Sequence, residues 1–379
     1  MLKTCLVTFF GDNYGACLQT YATQETLRKL GCDVQILNYE YRSENRKDPF
    51  LNIMRKRFKN IPHYLFHYFQ IMDFKAKKKL SARAFHQFRS EMLNIMEEKF
   101  YEAKEISKKN FLFDVYVAGS DQIWNPTFYG CCNPVYYLDF VCNEAKRISY
   151  ASSIGVSVMP EEYVDEFRRL VLHFDAVSIR EKKGSEIVEK LCQRNVPTVL
   201  DPTLLLTDKQ WDAVCSKPII DGEYIFCYLF SDNPAYNLVK KKLKKELNCK
   251  IVSIPFVFRE AESNDEKVYH AGPAEFISLI KNAKMILTDS FHATAFSITY
   301  RKDFLVLERQ NKKIKTNMNS RIYSIIGMLG IQDRLIKPYN FKSINNICKI
   351  DYDRVYDELE NQRKYSIEYL KGALYEKNL

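Results

Sequence analysis

Met285-Ile286-Leu287-Thr288-Asp289-Ser290-Phe291-His292-Ala293-Thr294 is the stretch that decides how this chain folds. An apolar run breaks into Asp, Ser and His and resumes at Ala295-Phe296-Ser297-Ile298, which reads as a strand turning abruptly into a helix. Such a turn leaves its loop at the carboxyl edge of a sheet, where the free N–H groups of the new helix favour an anion. Asp289 and Ser290 are ordinary helix-capping residues. His292, one step inside the helix, gains nothing from helix propensity. We therefore read it as a functional group that brings a titratable imidazole to the turn.

Working outward, strand and helix patterns alternate along most of the chain. Residues 5–10 read as a buried strand, Gly11-Asp12-Asn13-Tyr14-Gly15 as its loop, residues 16–30 as a helix closed by Gly31, and 34–37 as the next strand. Further strands are expected at 114–118, 147–151 and 176–179, with helices at 161–173 and 182–192. A second series follows Pro202, with strands at 224–230, 250–254, 284–287 and 304–307 and helices at 234–247, 273–282, 291–300 and 319–329. Alternation of this kind implies parallel sheets covered on both faces, so the fold class is α/β with two doubly wound Rossmann-like domains. The expected division is 1–200, 201–345 and a terminal helical piece at 346–379, with a basic helical insert at about 45–110. At 379 residues the chain exceeds the usual span of one domain, which agrees.

Composition narrows the function classes. Eleven cysteines at irregular spacings, without a Cys-x-x-Cys pair, argue for reduced thiols in a cytosol and against a zinc site. Six histidines form no His-Glu-x-x-His pattern, and no metal site is expected. No apolar run reaches bilayer length, and Met1 leads straight into a strand pattern, so a cytoplasmic location is expected. The net charge of +10 is concentrated in one stretch, where Arg55, Lys56, Arg57, Lys59, Lys75, Lys77, Lys78, Lys79 and Arg83 meet the single acid Asp73. Phe58, Tyr64, Phe66, Tyr68, Phe69 and Phe74 are threaded through it. A solvated helix pair is the plain reading. Peripheral contact with an anionic membrane ranks second, and no nucleic-acid motif accompanies the charge.

Four loops fall at carboxyl ends of expected strands. The loop at Gly11 lacks both the dinucleotide and the phosphate-loop pattern, but Asn13 and Gln19 offer groups for sugar hydroxyls, against a tight turn plus a helix cap. Gly119-Ser120-Asp121-Gln122-Ile123-Trp124-Asn125 packs donors and acceptors beside an indole, a composition suited to a carbohydrate. Asp121 is the candidate general base there, against a capping role for Asp121 and a core role for Trp124. Arg180, in Ser178-Ile179-Arg180-Glu181, presents a planar fork for a carboxylate or phosphate, against an ion pair with Glu181 or another acid. The fourth loop is the His292 turn. Beyond it, Ser320 is expected to cap a helix while Arg321 reaches inward.

Asn13-Tyr14-Gly15-Ala16-x-Leu18-Gln19, the Gly119–Asn125 segment, Tyr150-Ala151-Ser152-Ser153-Ile154-Gly155, Ser178-Ile179-Arg180-Glu181 and Asp289-Ser290-Phe291-His292 occur in this order. Together they resemble the polysaccharide pyruvyl transferases. Some members carry Arg-Leu-His where this chain has Ser290-Phe291-His292, and glycine where it has Ala293. The resemblance implies transfer of the pyruvyl unit of phosphoenolpyruvate onto two sugar hydroxyls, in surface or exopolysaccharide biosynthesis. It implies a glycosyltransferase B-like cleft between the two domains, with the acceptor on the N-terminal half. It assigns His292, Asp121 and Arg180 to catalysis. Asn13, Tyr14, Gly15, Gln19, Gly119, Ser120, Gln122, Trp124, Asn125, Ser290, Phe291 and Arg321 are assigned to substrate. No cofactor is implied, and a lipid-linked acceptor fits the basic stretch. The rival readings are a nucleotide-sugar glycosyltransferase of the same fold and a non-catalytic sugar-binding protein.

Overall fold

The computed structural model describes residues 1–41, 71–109, 111–141, 144–231, 233, 236–257, 260, 263–309, 319–337 and 349–376. Two parallel sheets organise them. The first contains β1 (Leu2–Val7), β2 (Cys32–Ile36), β3 (Val115–Ala118), β4 (Lys146–Ser152) and β5 (Ala176–Ile179), in the order β2-β1-β3-β4-β5. The second contains β6 (Tyr224–Tyr228), β7 (Lys250–Ser253), β8 (Glu266–Lys267), β9 (Met285–Thr288), β10 (Phe304–Leu307) and β11 (Leu335–Ile336), in the order β11-β10-β9-β6-β7-β8. Strand order reverses between β1 and β3 in one sheet and between β6 and β9 in the other. Crevices beyond such reversals are where open α/β sheets hold ligands.

The strands read as near-continuous apolar runs because helices cover both faces. Helix α1 (Tyr14–Lys29) follows β1, and α2 (Ala82–Met92) belongs to the insert. Helices α3 (Val164–Leu172) and α4 (Lys182–Cys192) flank β5. The second half carries α6 (Tyr236–Leu247), α7 (Pro273–Asn282), α8 (Phe291–Thr299) and α9 (Ser320–Met328). A short helix that the sequence reading missed, α5 (Pro202–Leu205), lies on the crossover between the sheets. Its four residues are too few to register a helical period.

One apolar core runs through both halves. Tyr14 of α1 stacks on Phe276 of α7 with centroids 4.6 Å apart, and its hydroxyl donates to Ala271 O at 2.8 Å. Trp211 from the crossover packs on Phe296 of α8 at 4.8 Å. The terminal helix α10 (Tyr352–Tyr375) straps the halves together. Its Tyr352 hydroxyl donates to Ser297 O in the second half, its Tyr369 hydroxyl to Ser149 O in the first at 3.4 Å, and Arg363 Nε to Leu204 O on the crossover at 2.6 Å.

Most of the basic aromatic stretch, residues 55–70, lies outside the described residues. Within the remainder, Lys78 is not a free surface cation. Its Nζ donates to Phe256 O at 3.2 Å and lies 4.4 Å from the Phe256 ring centroid, so it joins the insert to the second half. Among the described residues no helix is long and apolar enough to cross a membrane.

Candidate active site

The first crevice is set by a close approach of backbones. A Cβ on Gly119 would lie 2.8 Å from Thr8 Cβ, so only glycine lets the loops after β1 and β3 meet, and Thr8 Oγ1 then donates to Ser120 O at 2.9 Å. Asp121 follows with φ of 67°, a left-handed conformation that aspartate tolerates better than most residues. It aims the carboxylate out of the sheet edge, where the side chain keeps 14% exposure. Two guanidiniums face its Oδ1: Arg180 Nη2 at 3.5 Å and Arg321 Nη1 at 4.0 Å.

Arg180 leaves the end of β5 fully enclosed. The alternative of an ion pair is realised, with Asp201 in place of Glu181. Glu181 Oε1 instead accepts from Ser153 Oγ, Ile154 N and Gly155 N at 3.0–3.1 Å, which locks the loop after β4. Arg180 Nη1 donates to Asp201 Oδ2 at 2.6 Å, and its guanidinium lies 4.7 Å from the Phe291 ring centroid. Burial alone would weaken its hold on the proton, but Asp201, Asp121 and Glu181 outweigh that and push its pKa upward. Arg321 has less compensation. Burial, with Arg180 beside it, brings its pKa down to about 10. The Gln122 amide lies 3.1 Å from Arg321 Nη2, and turning its oxygen toward that cation gives the guanidinium an acceptor.

The second crevice supplies the imidazole. Asp289 does not reach the cleft; its two oxygens accept from Phe230 N at 2.7 Å and Ser231 N at 2.9 Å, tying the loops after β6 and β9 together. Ser290 caps α8 by accepting from Ala293 N at 3.4 Å. His292, the second residue of α8, crosses to the other half and lies flat against α1. A Cβ on Gly15 would run into its Nδ1, so Gly15 is the floor on which the imidazole rests. His292 Nε2 stands 3.8 Å from Asp201 Oδ2, buried and without a hydrogen-bond partner among the described residues. Burial lowers the pKa of His292 below its ordinary value; Asp201 and Asp121 oppose this, and Arg180 and Arg321 reinforce it. At neutral pH the resting imidazole is uncharged.

His292, Asp121, Arg180, Arg321 and Gln122 thus come together between the sheets, although they derive from four separate loops. Other expected contacts have internal duties. Trp124 is a core residue: its indole stacks on Tyr137 at 5.0 Å and its Nε1 donates to Tyr136 O at 2.9 Å, leaving no face for a sugar. Gln19 is fully buried, and its Nε2 donates to Thr8 Oγ1 and Phe9 O. Tyr14 belongs to the interdomain stack. Asn13 and Asn125 are helix caps, accepting from Ala16 N and Thr127 N, each at 3.1 Å. Ser120 Oγ donates to Ala151 O at 2.9 Å and Asp201 Oδ2 at 3.1 Å. Ser320 does not cap α9; Asn319 holds that position, with its side chain tied to the Arg309 backbone.

Two residues at the site escaped the sequence reading. Asp201 stands before Pro202, a pattern that announces a helix start and nothing more. Arg309 follows β10 and donates from Nε to Asp289 O at 2.7 Å, with its guanidinium 4.5 Å from the Phe230 ring centroid. No local signal separates it from a surface arginine.

A family model described as polysaccharide pyruvyl transferase matches residues 13–311. A search of curated protein sequences finds no match. Among solved structures, a putative UDP-N-acetylglucosamine 2-epimerase from Listeria monocytogenes aligns over 98% of this chain and 91% of its own, at 11% identity and a TM-score of 0.52. UGT89C1 of Arabidopsis thaliana, solved with UDP-L-rhamnose, aligns over 98% of both chains at 11% identity and a TM-score of 0.50. At such identities these likenesses speak to fold alone, which is of the glycosyltransferase B type.

Proposed function

This chain belongs to the polysaccharide pyruvyl transferase family and is a transferase, and we propose that it moves the pyruvyl group of phosphoenolpyruvate onto two hydroxyls of a saccharide. The supporting observation is the meeting of His292 and Arg321 from one half with Asp121 and Arg180 from the other. Phosphoenolpyruvate carries a carboxylate and a phosphate. Arg321, Arg180 and the first N–H groups of α8 offer the cationic and hydrogen-bonding surface such a donor requires.

The chemistry divides between the two halves. Carbon 2 of the donor accepts both acceptor oxygens, the methylene carbon gains one proton to become a methyl group, and the carbon–oxygen bond to phosphate breaks. Of the two hydroxyl protons released, one balances that gained by the methyl carbon and the other leaves with phosphate. Asp121 takes the hydroxyl proton, its Oδ1 being occupied by the guanidiniums while the carboxylate keeps its exposure toward the cleft. His292 is neutral at rest, and the negative charge of a bound donor favours its protonation, so it becomes the acid as the donor arrives. The arginines stabilise charge on the departing phosphate. The acceptor we assign is a lipid-linked sugar met at an anionic membrane face, a reading supported by the exposure of Lys75, Lys79 and Arg83.

Phosphate release from phosphoenolpyruvate across a panel of saccharide acceptors tests the reading, with thermal protection by phosphoenolpyruvate alone as its companion. Protection by a sugar nucleotide but not by phosphoenolpyruvate, with no phosphate released, would replace this proposal with glycosyl transfer.

A further inference from the structure

Asp201 is more than a helix cap. Its Oδ1 performs the capping duty, accepting from Thr203 N at 2.9 Å and Thr203 Oγ1 at 2.6 Å. A cap needs only one oxygen. The other, Oδ2, is turned the opposite way into the cleft, where it accepts from Arg180 Nη1 at 2.6 Å and Ser120 Oγ at 3.1 Å. The side chain is fully buried, at the crossover that belongs to neither sheet, and Oδ2 lies 3.8 Å from His292 Nε2. We propose that Asp201 is the positioning residue of this centre: it clamps Arg180 in place and supplies the negative charge against which the buried His292 takes up a proton.

The surroundings of His292 leave few other groups for that task. Arg180 and Arg321 face it with like charge once it is protonated, and the Gly15 backbone of α1 covers Nδ1. From its own turn, Ser290 and Phe291 carry no charge, and Asp289 spends both oxygens on Phe230 N and Ser231 N. Asp121 is the second acid in range, but its Oδ1 already faces both guanidiniums. Burial would raise the pKa of Asp201, yet Arg180, His292 and the Thr203 hydrogen bond hold it at about 2. It therefore remains charged throughout any working range. An opposite charge this close shifts a titration by about 1–3 units.

The acid role of His292 rests on the reaction proposed above, whereas the electrostatic coupling rests on geometry alone, and the test separates them. Asp201→Asn keeps an oxygen for the Thr203 cap and removes the charge. In the unliganded full chain, with histidine carbon-13 resonances assigned by His292→Asn, the His292 titration midpoint is expected to fall by about 1–2 pH units. The alkaline limb of kcat/KM for phosphate release should move down with it. Thr203→Val is the control. It weakens the same helix start and lowers Tm, but leaves the His292 midpoint in place. An unchanged midpoint in a folded Asp201→Asn protein, or an equal shift in Thr203→Val, overturns the proposal and returns Asp201 to a structural cap. A shifted midpoint in a protein that never turns over phosphoenolpyruvate upholds the coupling and sinks the reaction instead.

Discussion

Asp121 and Asp289 hold corresponding places, each just past the carboxyl end of a strand beside its sheet's reversal of order. Asp289 is fully buried and gives both oxygens to backbone N–H groups, so it stitches β6 to β9. Asp121 sits at positive φ, keeps part of its carboxylate in the cleft and faces two guanidiniums. The carboxylate that the backbone does not consume is the one left facing the cleft. The second half instead brings its imidazole from three residues further along, as His292 on α8, and Gly15 and Asp121 of the first half and Asp201 of the crossover complete the surroundings of that ring.

This contrast can be broken experimentally. The largest effect is expected at His292, where replacement by asparagine should cut transfer by about 10²–10⁴ while the protein stays folded. Full activity in a folded His292→Asn enzyme would end the assignment. Gly15→Ala comes next. Its new methyl group occupies the place of the imidazole, so activity should drop by about 10²-fold. If the variant keeps its rate, the ring has room that the packing against α1 denies.

The two aspartates should then separate cleanly. Asparagine is comfortable at positive φ, so Asp121→Asn should preserve Tm and lose rate. Asp289→Asn leaves one backbone N–H without its acceptor and should cost about 1–3 kcal/mol of stability. Denaturant unfolding beside initial rates decides the matter, and the reverse pattern would dissolve the comparison. The smallest effect concerns the insert. Changing Lys75, Lys79 and Arg83 to glutamine should weaken co-sedimentation with anionic vesicles by roughly 1 kcal/mol per charge, in a salt-sensitive way. Binding that is equal on neutral vesicles would make the exposed cations a solvated face.

Several readings from the sequence carried through because they rest on local chemistry. The apolar run 285–287, the capping Ser290 and the nearby histidine were enough to place a strand, a turn and a helix start, and the structure has them as β9 and α8. Trp124 and Gln19 went the other way. An indole in a polar loop and an amide near a helix start look available when only neighbours in sequence are visible, but Tyr137 and Thr8 cover them from elsewhere in the chain.

Alternation of apolar runs and caps by itself determined the two parallel sheets, since strand and helix periods and turn residues are set within a few residues of one another. Composition and motif order identified His292, Asp121 and Arg180 as groups of interest. Only the tertiary structure decided which of them lie together. The partner of Arg180 turned out to be Asp201, 21 positions away, and not its neighbour Glu181. Burial, long-range pairing and the approach of Gly15 to His292 arise from packing one half on the other. A carboxylate's partner depends on distances that a sequence does not contain, and that is why the acid beside the histidine was invisible until both halves were in place.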